Sequence, residues 1–335
     1  MALNSDYPIR AEGERPVEVS HTDIDRQAAM LSGYNQSYEQ LSAGRFVGKF
    51  LTCRYDTDFS VYVESVNRRL FQRFAVPGDQ YAICIMMGVE DATHINGVML
   101  ADHQAMILSP GAEVVVATSA AMNICVVSVS RQFFEANLLY DAIMRGRQNR
   151  DILYLRDRHP NSSSQLMHGI GRSIDSLAKL SSNRSDEFLS RAHADKIAIV
   201  SAAQALFSNP QTVQAVARGD AAASRIDRFC AWLMAIDERI SDMNSIDDIR
   251  DQVHASRRTV DTSFRKFLGT SPAQYIKAVR LNRVRRDLQS QDLRDLTIGD
   301  IAERSGISHL GRFSGEYRNL FGELPSETRR QATRI

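Results

Sequence analysis

From Phe46 to Ser130 the apolar residues of this 335-residue chain fall in short runs. FVGKFLTCRY, SVYVESV, LFQRFAV, YAICIMMGV, INGVML, QAMILS, EVVVAT and NICVVSVS follow one another. Turn signals such as Pro77-Gly78-Asp79, Asn96-Gly97 and Ser109-Pro110-Gly111 separate several of them. Many short strands at this spacing predict a β-sandwich or barrel. After Ser130 the apolar period lengthens to that of a helix. Arg131 to Arg147, Ser163 to Leu180 and Asp186 to Phe207 are predicted helices. In the last of these, Phe188, Leu189, Ala192, Ile199, Val200, Ala203 and Leu206 fall near one stripe. Such a stripe packs on its own domain or on a second copy of the chain. Ahead of the strands, Met1 to Val19 reads as flexible, and His21 to Leu41 as holding a short helix. Asn209 to Ser224 (NPQTVQAVARGDAAAS) opens with Asn-Pro, is low in large apolar residues and reads as a linker.

Beyond that linker the pattern is helical throughout, and it repeats. Ser245-Ile-Asp-Asp-Ile249 matches Thr297-Ile-Gly-Asp-Ile301, each a hydroxyl cap with Asp three positions on. Val260, Phe264, Phe267, Gly269 and Pro272 match Phe313, Tyr317, Leu320, Gly322 and Pro325, with a one-residue slip in the turn between. Each copy is a short helix, a tight turn and a second amphipathic helix, which is a helix-turn-helix. Ser271-Pro272 starts a further helix, Ser as cap and Pro at its first position, running to Leu288 and joining the two units. The last such helix alone would read as an ordinary solvated amphipathic helix. Two on one rod could enter successive major grooves of a duplex, about 34 Å apart.

The second helix of each unit is the candidate reader. In the first, Arg257, Arg258, Asp261, Thr262 and Arg265 face away from the apolar side. In the second, the candidates are His309, Leu310, Gly311, Arg312, Ser314, Gly315 and Arg318, with Leu310 at the start of the apolar stripe. Arginine, threonine and aspartate match the donors and acceptors of base edges. Lys266, Lys277, Arg280, Arg283, Arg285 and Arg286 are candidates for phosphate, which sets register rather than sequence.

Charge supports this assignment. The net charge is only +1, so the chain is no polycation. From Arg225 onward there are 20 Lys and Arg against 16 Asp and Glu; before it there are 21 against 24. The basic excess therefore sits with the helical repeat. Eighteen of its 20 basic residues are Arg, whose planar fork suits phosphate and guanine.

The segments TVDTSFRKFLGTSPAQYIKAVRL, TIGDIAERSGIS and GRFSGEYRNLFGELPSETRR resemble the DNA-binding domain of the AraC/XylS family of bacterial transcription regulators. The resemblance covers about Arg225 to Arg330, a third of the chain. It implies an activator or repressor that recognises an asymmetric site per monomer, with RNA polymerase as a candidate partner. The upstream part is similar to the family's sensory region, which implies a cupin-like or jelly-roll β domain followed by a helical dimerisation unit. That region binds a small molecule in many members and only dimerises in others. The chain departs from the family at Gly315, usually a larger polar or basic residue, and at Gly311, often a polar one. The first reader would then carry more of the specificity than the second.

The expected organisation is α+β. A sensory or dimerisation domain spans 1–208, β-rich over about 46–130 and helical over about 131–208. A linker follows at 209–224, then an all-α DNA-binding domain at 225–335. The expected partners are promoter DNA, a second copy of the chain, RNA polymerase and a small-molecule effector. The rival is a regulator with no small-molecule ligand, controlled by abundance or a protein partner.

An enzyme is not expected, nor a cofactor. A cupin sheet holds a catalytic metal through a His-x-His pair and further ligands, and here His94 and His103 are isolated. No G-x-S-x-G, P-loop or G-x-G-x-x-G motif occurs. Cys53, Cys84, Cys125 and Cys230 include no C-x-x-C pair, and three lie in apolar runs as core. There is no apolar signal segment and no run of about 20 apolar residues, so a cytoplasmic, membrane-free protein is expected. Arg54, Tyr62, Arg73, Tyr81 and His94 are polar or aromatic candidates for an effector pocket, without a ligand site being assigned.

Overall fold

The computed structural model describes residues 14–31, 33–89, 93–100, 104–138, 152–155, 161–180, 186–208, 220–243 and 246–332. The first part of the chain runs β1 (Glu14–His21), α1 (Ile24–Ala28), β2 (Ser37–Gln40), β3 (Gly48–Arg54), β4 (Phe59–Val66), β5 (Leu70–Ala75) and β6 (Gln80–Val89). It continues with β7 (Thr93–Ile95), β8 (Val98–Leu100), β9 (Ala105–Leu108), β10 (Glu113–Ala117), β11 (Met122–Ser130), α2 (Arg131–Asn137), β12 (Ile152–Leu155), α3 (Asn161–Ala178) and α4 (Asp186–Ser208). The strands form two antiparallel sheets, one of order β1-β3-β4-β11-β6-β9-β12 and one of order β2-β5-β10-β7-β8. Asn96 and Gly97 turn β7 into β8 with φ of 42° and 68°, the two positive values a tight hairpin turn demands.

Alternation along the strands produces layers. In β6, Tyr81, Ile83 and Ile85 pack with Phe188, Ala192, Ile199 and Leu206 of α4. Between them, Ala82, Cys84 and Met86 pack against Leu70, Val114 and Val116 of the second sheet. Both faces of β6 are buried, which is why YAICIMMGV reads as a continuous apolar run. The second sheet is also covered on both sides. Phe71 and Ala117 leave the inter-sheet core and join Phe229, Leu233, Ile236 and Tyr275 of the C-terminal helices.

The expected cupin-like or jelly-roll domain is not what forms. Both sheets stay open: β1 and β12 end one and β2 and β8 the other, and no closed barrel or rolled double sheet exists among the described residues. Closure is one way to remove unpaired strand edges, and covering or charging them is another. Here β1 carries Glu14, Arg15 and Glu18 at its edge, and β2 is capped by a helix side chain. Helices cover both outer faces, so the same run of short strands satisfies its apolar surface without curling. The α+β division itself, strands first and a double helix-turn-helix after, is as expected.

Some boundaries differ. β1 lies partly in the segment expected to be flexible; it is held by backbone pairing to β3 rather than by burial. β2 and β12 are four-residue strands with no usable period. Of the helix expected at Arg131 to Arg147, the described part is Arg131–Asn137. The expected linker falls outside the described residues up to 219, and its last residues belong to a helix starting at Asp220.

Inside the inter-sheet core a polar cluster surrounds Glu64. Gln27 Nε2 donates to Glu64 Oε1 at 3.1 Å and Tyr38 Oη donates at 3.0 Å. Among the described residues no cation faces this carboxyl, and burial pushes it up to about 7 against those two hydrogen bonds. Gln27 Oε1 has no hydrogen-bond partner among the described residues, so a protonated Glu64 brings a donor into a site short of one. The folded state therefore binds the extra proton between the ordinary carboxyl value of 4.5 and about 7, and stability falls as pH rises through that window. Urea unfolding is expected to show roughly 2 kcal/mol less stability at about pH 8 than at about pH 5 from this group. In Glu64→Gln that component disappears. An unchanged pH slope in the variant would place the titration elsewhere.

Candidate nucleic-acid interface

The C-terminal part comprises α5 (Asp220–Glu238), α6 (Ile246–Val253), α7 (Arg257–Leu268), α8 (Pro272–Gln289), α9 (Ile298–Arg304), α10 (Leu310–Phe321) and α11 (Pro325–Ala332). The units α6–α7 and α9–α10 are the two helix-turn-helices. Two of the three caps read from the sequence, Ser271 and Thr297, are in place. Ser256 Oγ accepts from Thr259 N, and Gly269 closes α7 with φ of 64°. Ser271 and Gln274 form a capping box on α8, and Thr297 and Asp300 form one on α9. Ser245, the expected cap of α6, lies outside the described residues. The turns match as well: His254 at φ 49° stands in the first unit where Gly306 at φ 80° stands in the second.

Each reader buries one face. Val260, Phe264 and Leu268 of α7 pack with Phe229 and Tyr275, with ring centroids 5.2 Å and 5.4 Å from Phe264. Phe313, Tyr317, Leu320 and Phe321 of α10 pack with Ala278, Leu281, Val284 and Leu288 of α8. The opposite faces are open. Arg257, Arg258, Thr262 and Arg265 are exposed and Asp261 is half-buried; His309, Leu310, Gly311, Arg312, Ser314, Gly315 and Arg318 are all exposed. Apart from half-buried Asp261, the predicted base-reading positions are thus exposed rather than packed.

The candidate phosphate residues divide. Lys266 is exposed above the Phe267 ring, and Lys277 is exposed with its Nζ 2.6 Å from Glu316 Oε1. Arg280 and Arg283 turn inward. Arg280 donates to the carbonyls of Ile240, Ser241 and Met243, and burial, with Arg283 nearby, lowers its pKa. Arg283 Nη1 donates to Ser241 Oγ at 2.7 Å. These two tie the end of α5 to the connecting helix α8. A cleft of about 260 Å³ lies between α8 and the second unit, lined in part by Lys277, Arg280, His309, Arg312 and Glu316. Glu316 was not singled out from sequence. Its spacing four residues after Arg312 is the only local sign of it.

Arg285 and Arg286 point toward the sheets. Arg286 donates to Asp25 Oδ1 at 3.1 Å, Glu39 Oε1 at 2.7 Å and the Tyr38 carbonyl at 2.8 Å. Burial opposes its charge, but the Glu39 and Asp25 carboxylates outweigh that and raise its pKa. Asn282 exchanges two hydrogen bonds with the Gln40 backbone, at 3.1 Å and 3.0 Å. Gln40 Nε2 and Gly44 N donate to the Leu320 carbonyl, supplying partners at the C-terminus of α10 where a helix lacks its own. Arg73 pairs with Asp237 across the same junction.

The effector-pocket candidates do not converge. Tyr81 stacks on Phe134 in the outer layer, Tyr62 packs on the inter-sheet core, and Arg73 reaches the helical domain. Arg54 and His94 are half-buried; burial, then Arg69 and Lys266, lower the pKa of His94. His103 lies outside the described residues. Among the described residues no group of His, Cys, Asp or Glu could hold a metal, and no helix is long and apolar enough to cross a membrane.

A family model described as a helix-turn-helix domain matches residues 250–331. A solved AraC-type transcriptional regulator from Chromobacterium violaceum is 34% identical, over 33% of this chain and 96% of that one, with a TM-score of 0.30. The chain belongs to the AraC/XylS family. Among curated members, the XylDLEGF operon transcriptional activator 2 of Pseudomonas putida is 37% identical over 93 residues, 28% of this chain and 59% of the relative. The probable thc operon regulatory protein of Rhodococcus erythropolis is 40% identical over 75 residues, 22% of this chain and 23% of the relative. The match to these AraC/XylS members thus spans less than two thirds of their length.

Within the family fold, Gly311 and Gly315 leave the outer face of α10 flat. A Cβ at either position would meet nothing within 4 Å. Gly315→Ala is therefore expected to raise stability by about 0.5–1 kcal/mol, the helix-propensity gain alone. Thermal unfolding reads this directly; a lowered Tm would mean that the glycine serves the fold.

Proposed function

We propose that the protein is a cytoplasmic, sequence-specific DNA-binding transcription regulator that acts as a homodimer. One observation carries the reading: two helix-turn-helix units on a single connecting helix, each offering an exposed face of arginines and small polar groups. In this mechanism α7 selects bases through Arg257, Arg258, Asp261, Thr262 and Arg265. The α10 helix adds His309, Leu310, Arg312, Ser314 and Arg318, while Gly311 and Gly315 let its axis approach the duplex closely. Lys266 and Lys277 anchor to phosphate; Arg280 and Arg283 serve the domain's own packing.

Residues 1–208 form the sensing and dimerising part, 209–224 the connection and 225–335 the DNA-binding part. The exposed Leu189 and Ile197 on α4 support dimerisation there. Pairing two copies raises affinity through effective concentration. The bound dimer recruits or blocks RNA polymerase, and a small-molecule effector tunes it. A second reading, a regulator without a small-molecule ligand, draws on one observation: the pocket candidates lie in different layers.

The test is selection of bound DNA from a randomised pool by the full-length protein, followed by sequencing. Two enriched blocks about one helical turn apart are expected. Enrichment of one block would leave α10 as a non-specific contact. No enrichment at any salt concentration, with or without candidate effectors, would overturn the reading.

A further inference from the structure

Asp261 is the one acidic residue in α7, whose sequence is RRTVDTSFRKFL. It lies on the row Arg257–Asp261–Arg265, in the middle of the face offered to DNA. A bare carboxylate there would repel phosphates and the acceptor-rich edge of guanine. It is not bare: Asp261 Oδ2 accepts from Arg265 Nε at 2.9 Å. The Asp261 side chain is 39% exposed and that of Arg265 66%, so the pair stands at the surface with the guanidinium outermost. An ordinary exposed pair of this spacing contributes only about 0.3–0.5 kcal/mol to a helix. Its geometry matters more than its strength. The bond uses Nε, and it is the only hydrogen bond of this guanidinium among the described residues. Both terminal nitrogens remain available as a planar fork. The pair has no net charge, which weakens its pull toward the backbone and leaves hydrogen-bond geometry to decide where it docks.

We propose that Asp261 is a positioning residue that holds Arg265 with its Nη1–Nη2 edge directed at a guanine, to be read through O6 and N7 in the major groove. The carboxylate fixes the long side chain before binding, so less rotamer freedom is lost on contact. A lone arginine at this position would swing to the nearest phosphate. The inference rests on the DNA-binding reading above and names the base that one part of that surface takes.

The experiment measures binding of the full-length protein to its selected site and to every single base-pair change in it. For the wild type, replacing one G·C pair is expected to lower affinity about ten- to hundredfold. Arg265→Ala removes that preference. Asp261→Ala weakens it severalfold at the same base pair and leaves the others alone. Asp261→Asn, whose side-chain oxygen can still accept from Nε, retains most of it. The double variant is no worse than Arg265→Ala. A uniform change across all base pairs in Asp261→Ala, or a changed preference at a different base pair from that of Arg265→Ala, overturns the proposal while leaving DNA binding intact. A wild type that selects no sequence overturns both.

Discussion

Replacing Arg285 by alanine is expected to destabilise the protein by about 3–5 kcal/mol, the range for removing one partner of a buried ion pair. The Arg285 side chain is only 8% exposed. Its Nη1 lies 2.6 Å from Glu323 Oε1 and its Nη2 3.6 Å from Asp23 Oδ2. The Glu323 and Asp23 side chains are themselves only 14% and 12% exposed, and the guanidinium lies over the Phe321 ring, 5.0 Å from its centroid. Alanine would strand two carboxylates in a poorly solvated site and remove the flat contact on the aromatic face. Asp23 would keep Gln289 and the backbone N–H groups of Asp25 and Arg26. Glu323 would keep Thr328. The loss should show in urea unfolding at neutral pH, and Arg285→Met with Glu323→Gln should recover part of it by removing one stranded charge. A loss below about 1 kcal/mol would mean that the site is solvated and the pair behaves as a surface one.

The second large effect is expected at Gly306. Its φ of 80° is left-handed, which costs a residue with a Cβ about 1–2 kcal/mol. An added Cβ would also overlap the Ser241 carbonyl oxygen and approach Arg280 Nε to 2.9 Å. A backbone carbonyl cannot swing aside, and Arg280 is itself held on the carbonyls of Ile240, Ser241 and Met243. Overpacking adds about 1–3 kcal/mol. Gly306→Ala should therefore cost roughly 2–5 kcal/mol in unfolding experiments. It should also weaken DNA binding, because the turn sets α10 against α9. His254→Gly at the matching turn should be nearly neutral, since the first unit already places a residue with a Cβ at φ 49°. Equal losses at both turns would show that Gly306 matters for some reason other than its close approach to Ser241.

The parts most legible in the sequence were those whose signals are local. The Thr297–Asp300 capping pair, the Ser271 cap, Gly269 and Gly322 as helix stops, and the apolar stripes of α7 and α10 each lie within about four residues of their partners, and the structure has them as expected. The face of each reader followed, because burying Phe264 or Tyr317 leaves only one side for Arg265 or Arg318. The shape of the β domain did not follow, because strand count is the same for open and closed sheets. What decides is which faces other elements cover, and Phe71 meeting Tyr275 is a contact between residues 204 positions apart. The roles of the arginines on α8 were hidden for the same reason. Arg280, Arg283, Arg285 and Arg286 look alike in a helical pattern, yet their partners lie on α5, α1, β2 and the turn after α10.

The paired hydrogen bonds between Asn282 and the Gln40 backbone carry one more consequence. The Asn282 carboxamide takes the place of a neighbouring peptide unit along the margin of β2. A fragment ending near residue 208 would lose that stand-in, along with the helices over Phe71 and Ala117. It would then present free amide groups beside an apolar patch, the combination that recruits strands from other molecules. Such a fragment is expected to precipitate or self-associate where the full-length chain does not. On this expectation the C-terminal helices would also guard the preceding sheets against aggregation.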